Sequence, residues 1–259
     1  MKTRIHPSAI IDPGARIDKG TDIGPFCIIK EGVRIKKGAK LHSNVIVEGH
    51  TEIGENCTIY PFSSIGFPPQ DLKYNGEDTK LIIGDNNTIR EYATIHRASV
   101  GGDGITSIGD NNFMMAYVHI AHDCKIGNNI IMANAATLAG HVSIEDYTVI
   151  GGLVAVHQFT RIGRHSMVGG FSGIAQDVPP YMVASGPRAK LYGLNSIGLK
   201  RHGFSASTIN NLKKAYKILF REKRALKEAL KKIQDSLPAT DEITYLVQFI
   251  KKNRRGICR

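Results

Sequence analysis

The chain has 259 residues, 42% of them hydrophobic, with 34 Lys/Arg against 23 Asp/Glu. No stretch approaches the roughly 18 apolar residues of a membrane span, Met1-Lys2-Thr3-Arg4 opens no signal-peptide core, and four cysteines without a CxxC pair form no disulfide or zinc framework. The composition is that of a folded cytoplasmic protein, and its charge is lopsided: residues 191–259 hold 16 Lys/Arg against 5 Asp/Glu, whereas residues 1–190 hold 18 of each. That excess reads as a solvated helical face or as a surface for an acidic or phosphorylated partner. No recognition motif points to nucleic acid.

From the N-terminus, large aliphatics recur every six residues: Ile5, Ile11, Ile17, Ile23, Ile29, Ile35, Leu41, Val47, Ile53, Ile59 and Ile65. The series resumes at Ile83, Ile89 and Ile95, then runs after a one-residue shift from Ile108 through Ile120 and Leu138 to Ile174. Two residues before each aliphatic stands a mostly small residue, such as Ala15, Thr21, Cys27, Val33, Ala39, Cys57 or Ser63. Positions i and i+2 of a strand face the same side, so both phases point inward. Gly, Asn and Asp fill the remaining places, where the chain must turn. The period is six rather than 3.6, and three hexads make one 18-residue coil of a parallel β-helix. Cys27, Cys57 and Cys124 occupy the small inward slot and read as core; Cys258, at the chain end, carries no such signal.

Two polar, turn-rich segments break the phase, at 67–80 and 101–106. Both read as loops extruded from the coil wall; the first is a candidate substrate loop and the second reads more simply as a spacer. Beyond Gly186-Pro187 the hexads stop. Helical spacing follows from a Ser205 cap through Ile209, Leu212, Tyr216 and Leu219 to Leu237, and Asp241 opens a further helix. The organisation is therefore a β-helix over 1–187 and a helical block over 188–259, which covers the last coil.

Nine of the ten histidines lie in the hexad region and none falls on an inward phase. His122, His141 and His157 occupy nearly the same position in three successive coils, so they share one edge, and His119 approaches it. A zinc-dependent hydratase is one chemistry for such a set. Acid–base catalysis is the other: an imidazole base oriented by Asp123, with a backbone N–H at Gly140 for an oxyanion. A non-enzymatic scaffold has no need of this alignment.

The segments Gln70-Asp71-Leu72-Lys73-Tyr74, Ile95-His96-Arg97, His119-Ile120-Ala121-His122-Asp123-Cys124, Leu138-Ala139-Gly140-His141-Val142, Ala155-Val156-His157-Gln158-Phe159 and Ala175-Gln176-Asp177-Val178-Pro179-Pro180-Tyr181 together resemble the acyl-carrier-protein–UDP-N-acetylglucosamine O-acyltransferases, which open lipid A synthesis. The resemblance covers essentially the whole chain. It implies an all-β left-handed parallel β-helix with a C-terminal helical domain, a homotrimer with sites between subunits, and no metal or cofactor. The implied reaction moves an (R)-3-hydroxyacyl group from acyl carrier protein to the glucosamine 3-hydroxyl of UDP-N-acetylglucosamine. His122 would be the general base, Asp123 its orienting carboxylate and Gly140 the oxyanion donor. Gln70, Asp71, Lys73, His119, His141, His157 and Gln158 would hold sugar and thioester, Asn195 and Arg201 would reach the nucleotide, and Gly170 would set acyl length. The sequence departs from the family pattern at Ile197 and His202, where familiar members carry Glu and Arg. Some relatives acylate a 3-amino sugar, so that acceptor is the alternative. A sister N-acyltransferase carries an extra N-terminal domain, for which hexads beginning at Ile5 leave no room.

Overall fold

The computed structural model describes residues 2–253 and 255–259. Short strands, most of them two residues long, recur from Arg4–Ile5 to Gly173–Ile174, and each pairs in parallel with its counterpart one coil away. With the two longer strands that follow, they form three sheets of 11, 9 and 8 strands, the faces of a prism. In the order the chain visits them, Asp22–Ile23 lies on the first face, Ile28–Ile29 on the second and Arg34–Ile35 on the third. Regular coils advance by 18 residues, as in the pairs Ile23↔Leu41 and Ile120↔Leu138.

The inward aliphatics stack into continuous columns. On the first face Ile23, Leu41, Ile59, Ile89, Met114, Met132, Ile150 and Val168 sit one above another, all buried. Each such burial stabilises the coil by about 2 kcal/mol. The small phase fills the space between columns, and Cys27, Cys57 and Cys124 are buried there. Its polar members are satisfied locally: Thr51, Ser63 and Thr148 each donate their hydroxyl to a corner carbonyl three residues back. Ile5 is half exposed because its coil has a described neighbour on one side only.

At the corners the backbone enters the left-handed region. Asn56, Asn86, Asn111 and Asn129 do so between third and first faces, where a short polar side chain is tolerated. Phe62, Tyr92 and Tyr117 do so between first and second faces, and Asp123, His141 and Phe159 between second and third. A left-handed residue other than glycine costs about 1–2 kcal/mol. Ring stacking along the first of these edges offsets it, with centroids 5.1 Å apart for Phe62–Tyr92 and 5.0 Å for Tyr92–Tyr117.

Both insertions leave from the second–third corner. The pairs Ile65↔Ile95 and Ile95↔Ile120 are separated by 30 and 25 residues instead of 18, yet apart from a register shift between Ile65 and Phe67, where the first insertion leaves, the ladders on either side stay in register. The extruded segments differ slightly from the expected bounds. Phe67 and Lys80 belong to flanking strands, and Thr106 is buried within the strand Ile105–Ile108.

The first face closes with the strands Met182–Ser185 and Lys190–Leu194, which pair antiparallel about the Gly186-Pro187 turn. Four helices follow: α1 (Ser196–Arg201), α2 (Ala206–Phe220), α3 (Leu226–Ser236) and α4 (Asp241–Lys251). Ser205 caps α2 by accepting the Thr208 N–H, as its position in the sequence suggests. Arg161 docks α4 on the coil: it donates to buried Asp177, donates to the Phe249 carbonyl, and lies 4.0 Å above the Phe249 ring. Cys258 is not frayed. It is buried, and its backbone N–H donates to the Asp177 carbonyl. No helix among the described residues is long and apolar enough to cross a membrane.

Candidate active site

Three successive coils bring His122 and Asp123, Gly140 and His141, and Gln158 and Phe159 to the second–third corner, the corner from which both insertions emerge. The hexad phase puts these residues there, because each follows an inward aliphatic on the second face by a fixed step: Ile120, Leu138 and Val156.

His122 Nδ1 lies 2.8 Å from Asp123 Oδ2. A carboxylate only accepts, so Nδ1 carries a proton, and in the neutral ring Nε2 is the acceptor. Asp123 is held from three sides. Its backbone N–H donates to Thr106 Oγ1 at 2.8 Å, its Oδ2 accepts the Ser99 N–H at 3.0 Å, and Gly102 lies against its Oδ1 too closely for any side chain. Gly140 is equally constrained: a Cβ there would stand 2.5 Å from His122 Cε1 and 2.6 Å from Nε2. Glycine alone leaves room for the imidazole. Among the described residues the Gly140 N–H donates to no other group, so it is free to donate to a ligand.

His141 meets His122 edge to face at 5.2 Å and stacks on Phe159 at 4.5 Å. Burial lowers its pKa, against the pull of the Asp123 charge. His119 sits one strand earlier, bonded through Nδ1 to Thr94 Oγ1 at 2.7 Å, and burial lowers its pKa as well. Beside it, buried His96 is pushed down to about 4 by burial first and then by the neighbouring histidines, so it is neutral packing. Donor atoms of His122, Asp123 and His141 all lie within 4.8 Å of one another. The 2.8 Å His122–Asp123 contact is nevertheless that of a shared proton, shorter than the roughly 3.3 Å between two ligands of a tetrahedral zinc.

Of the first insertion, Asp71 reaches this corner, accepting the Ser99 hydroxyl at 2.6 Å and the Lys73 N–H at 3.0 Å. Those bonds, the Ser99 one foremost, hold its carboxyl below the usual range. Gln70 and Lys73 are exposed next to it. His157 shares the corner but opens onto a different groove of about 510 Å³ on the second face, lined by Ala155, Gly173 and Arg188.

Three expected residues lie elsewhere in the chain. Gly170 is at the first–second corner, packed against the Gly152 carbonyl. Asn195 caps α1, accepting the Gly198 N–H and donating to the His165 carbonyl, so its side chain is already engaged. Arg201 is exposed at the end of α1. The reason is α1 itself, which is seated on the third–first corner by His202, whose ring lies 5.1 Å from those of Tyr147 and His165. The residues that spacing missed are Ser99 and Thr106. Both lie at or next to a segment that read as a spacer, and the polar run there was the one available signal.

A coil of six-residue repeats with a histidine–carboxylate pair at an insertion-bearing corner is the architecture of the hexapeptide-repeat transferases. Residues 32–67 and 105–140 match the family model described as bacterial transferase hexapeptide (six repeats), and residues 177–258 match Udp N-acetylglucosamine O-acyltransferase, domain 2. The chain is 68% identical to the acyl-[acyl-carrier-protein]–UDP-N-acetylglucosamine O-acyltransferase of Thermodesulfovibrio yellowstonii, over 98% of this chain and 99% of that one. It is 48% identical to the enzyme of the same name from Burkholderia orbicola, over 99% of this chain and all of the other. The solved UDP-N-acetylglucosamine acyltransferase of Francisella novicida superposes with a TM-score of 0.96 at 40% identity, over 98% of this chain and 94% of that one. The chain therefore belongs to the acyl-[acyl-carrier-protein]–UDP-N-acetylglucosamine O-acyltransferase family, and its coil is the left-handed parallel β-helix of that fold.

Proposed function

We propose that this protein transfers an (R)-3-hydroxyacyl chain from acyl carrier protein to the glucosamine 3-hydroxyl of UDP-N-acetylglucosamine, the first step of lipid A synthesis, with His122 as general base. The observation that carries the assignment of roles is the His122–Asp123 pair facing Gly140. Asp123 keeps the proton on Nδ1, so Nε2 removes the proton of the sugar hydroxyl as its oxygen attacks the thioester carbonyl. The oxyanion of the tetrahedral intermediate takes the Gly140 N–H, and collapse expels the pantetheine thiolate, which recovers the proton from Nε2. His119, His141 and Gln158 line the approach, and His157 serves it from the adjoining groove. The relatives are named O-acyltransferases, which favours the hydroxyl acceptor over the amine.

A homotrimer belongs to this reading. Gly170, Asn195 and Arg201 sit at corners other than that of His122, so one chain does not assemble the whole site, and a neighbouring subunit would bring them to it. The basic helical block is a surface suited to the acidic carrier protein, whose binding should weaken as salt rises. Four free, buried cysteines accord with a cytoplasmic location. Replacing His122 by Ala should lower kcat by about 10²–10⁴-fold with the fold intact. Full activity in His122→Ala, assayed with UDP-N-acetylglucosamine and hydroxyacyl carrier proteins of graded length, would refute the mechanism.

A further inference from the structure

Ser99 lies in the stem of the second insertion, is 1% exposed, and forms no part of the family motif quoted above. Its two polar groups point to different parts of the site. The backbone N–H donates to Asp123 Oδ2, the oxygen that also accepts from His122 Nδ1. The hydroxyl donates to Asp71 Oδ2 at 2.6 Å, while Asp71 Oδ1 accepts the Lys73 N–H. Two residues earlier, Arg97 faces the same loop, donating through Nε to Tyr74 Oη at 3.2 Å and through Nη1 to the Gly66 carbonyl at 2.7 Å. Both side chains therefore reach the first insertion. Arg97 thus holds the body of the first insertion, and Ser99 holds its Asp71–Lys73 turn.

We propose that Ser99 is a positioning residue for the acceptor sugar. Its hydroxyl orders the Gln70–Lys73 segment at the mouth of the dyad, while its backbone amide independently fixes Asp123. The inference rests on the reading above, in which His122 is the base, and assigns to the sugar the Gln70–Lys73 segment, whose residues the resemblance places on sugar and thioester. The two groups separate cleanly in a variant. Ser99→Ala keeps the backbone N–H, hence the orientation of His122, and removes only the hydroxyl. A hydrogen bond to a charged group is worth about 10-fold or more in binding. The KM for UDP-N-acetylglucosamine should therefore rise about 10-fold, with kcat and its pH profile within about 3-fold of wild type. The KM for the acyl carrier protein should not move. Ser99→Thr restores the hydroxyl and should restore KM. The Ser99→Ala, Asp71→Ala double variant should bind the sugar no more weakly than Asp71→Ala alone, because the pair acts as one unit.

Hydrogen exchange at the amides of residues 71–75 supplies a readout without turnover, and it should be faster in Ser99→Ala. If that variant fails to fold, Asp71→Ala, a change in an extruded loop, must speed the same amides. Unchanged KM and exchange in Ser99→Ala, or loss confined to kcat, or failure of Thr to rescue, overturns the proposal. Those results beside an inactive His122→Ala would remove the positioning role alone. An active His122→Ala, or no transfer to this sugar by wild type, would instead remove the reading beneath it.

Discussion

At the residue scale the site is governed by two close approaches. Gly140 lies under the His122 ring, and Gly102 lies on Asp123. Neither needs glycine for its dihedral angles, since neither has a positive φ; both need it for space. Gly140→Ala should push the imidazole off its dyad geometry and lower kcat at least 10²-fold, while circular dichroism and melting stay near wild type. Equal activity in Gly140→Ala would mean that His122 works from another position. The sequence made one of these contacts legible and hid the other. Gly140 stands one coil above His122 in unbroken register, so its neighbourhood follows from counting. Gly102 and Ser99 lie in an insertion, where the count is interrupted and hexad phase carries no information about which backbone amide meets which carboxylate. The inward columns from Ile23 onward were legible for the converse reason: a period of six leaves each aliphatic one place to go.

At the element scale, α1 shows how residues expected at one site come to lie apart from His122 in a single chain. Asn195, expected as a nucleotide contact, caps α1, and His202, one of the two departures from the expected pattern, packs on His165. His165 holds this element down. It stacks on Tyr147 at 4.8 Å, meets Phe204 edge to face, and has its pKa pushed down to about 4, by burial first and then by His202 and Arg164. The unfolded chain protonates near 6.5, so between the two values the unfolded state binds the proton and the native state does not. Stability should therefore fall as pH drops from about 6.5 to 4. His165→Phe keeps a ring in the stack and removes the titration, so its melting temperature should depend less on pH over that window. His96, lowered for the same cause, leaves part of the slope in place. Identical slopes in both proteins would show that His165 protonates freely in the folded state.

At the scale of the whole molecule, the single chain shows an unfinished surface. Phe26, Phe62, Tyr92, Tyr117, Leu153 and Phe171 form an exposed apolar edge at the first–second corner, the corner that holds Gly170. In the homotrimer proposed above this edge would meet a neighbouring subunit. Tyr92→Glu places a charge between Phe62 and Tyr117. It should shift the protein to smaller species in sedimentation equilibrium and abolish transfer, although every group around His122 remains. Trimers of full activity in that variant would assign the contact to another surface.

The 18-residue coil also constrains how such a chain can change length. A loop can leave from a corner with no more than a local register shift in the ladders, as both insertions show. Within the wall, length is quantised. Deleting one hexad ahead of His141 would rotate it by a third of a turn and strand it on another face, with the inward pattern still intact and the core still filled. Removing a whole coil would shorten the prism and leave the azimuth of everything beyond unchanged. Alignment gaps in relatives of this chain should therefore cluster at corners or come in multiples of eighteen, and a six-residue gap between His122 and His141 should mark a protein that folds but has lost this chemistry.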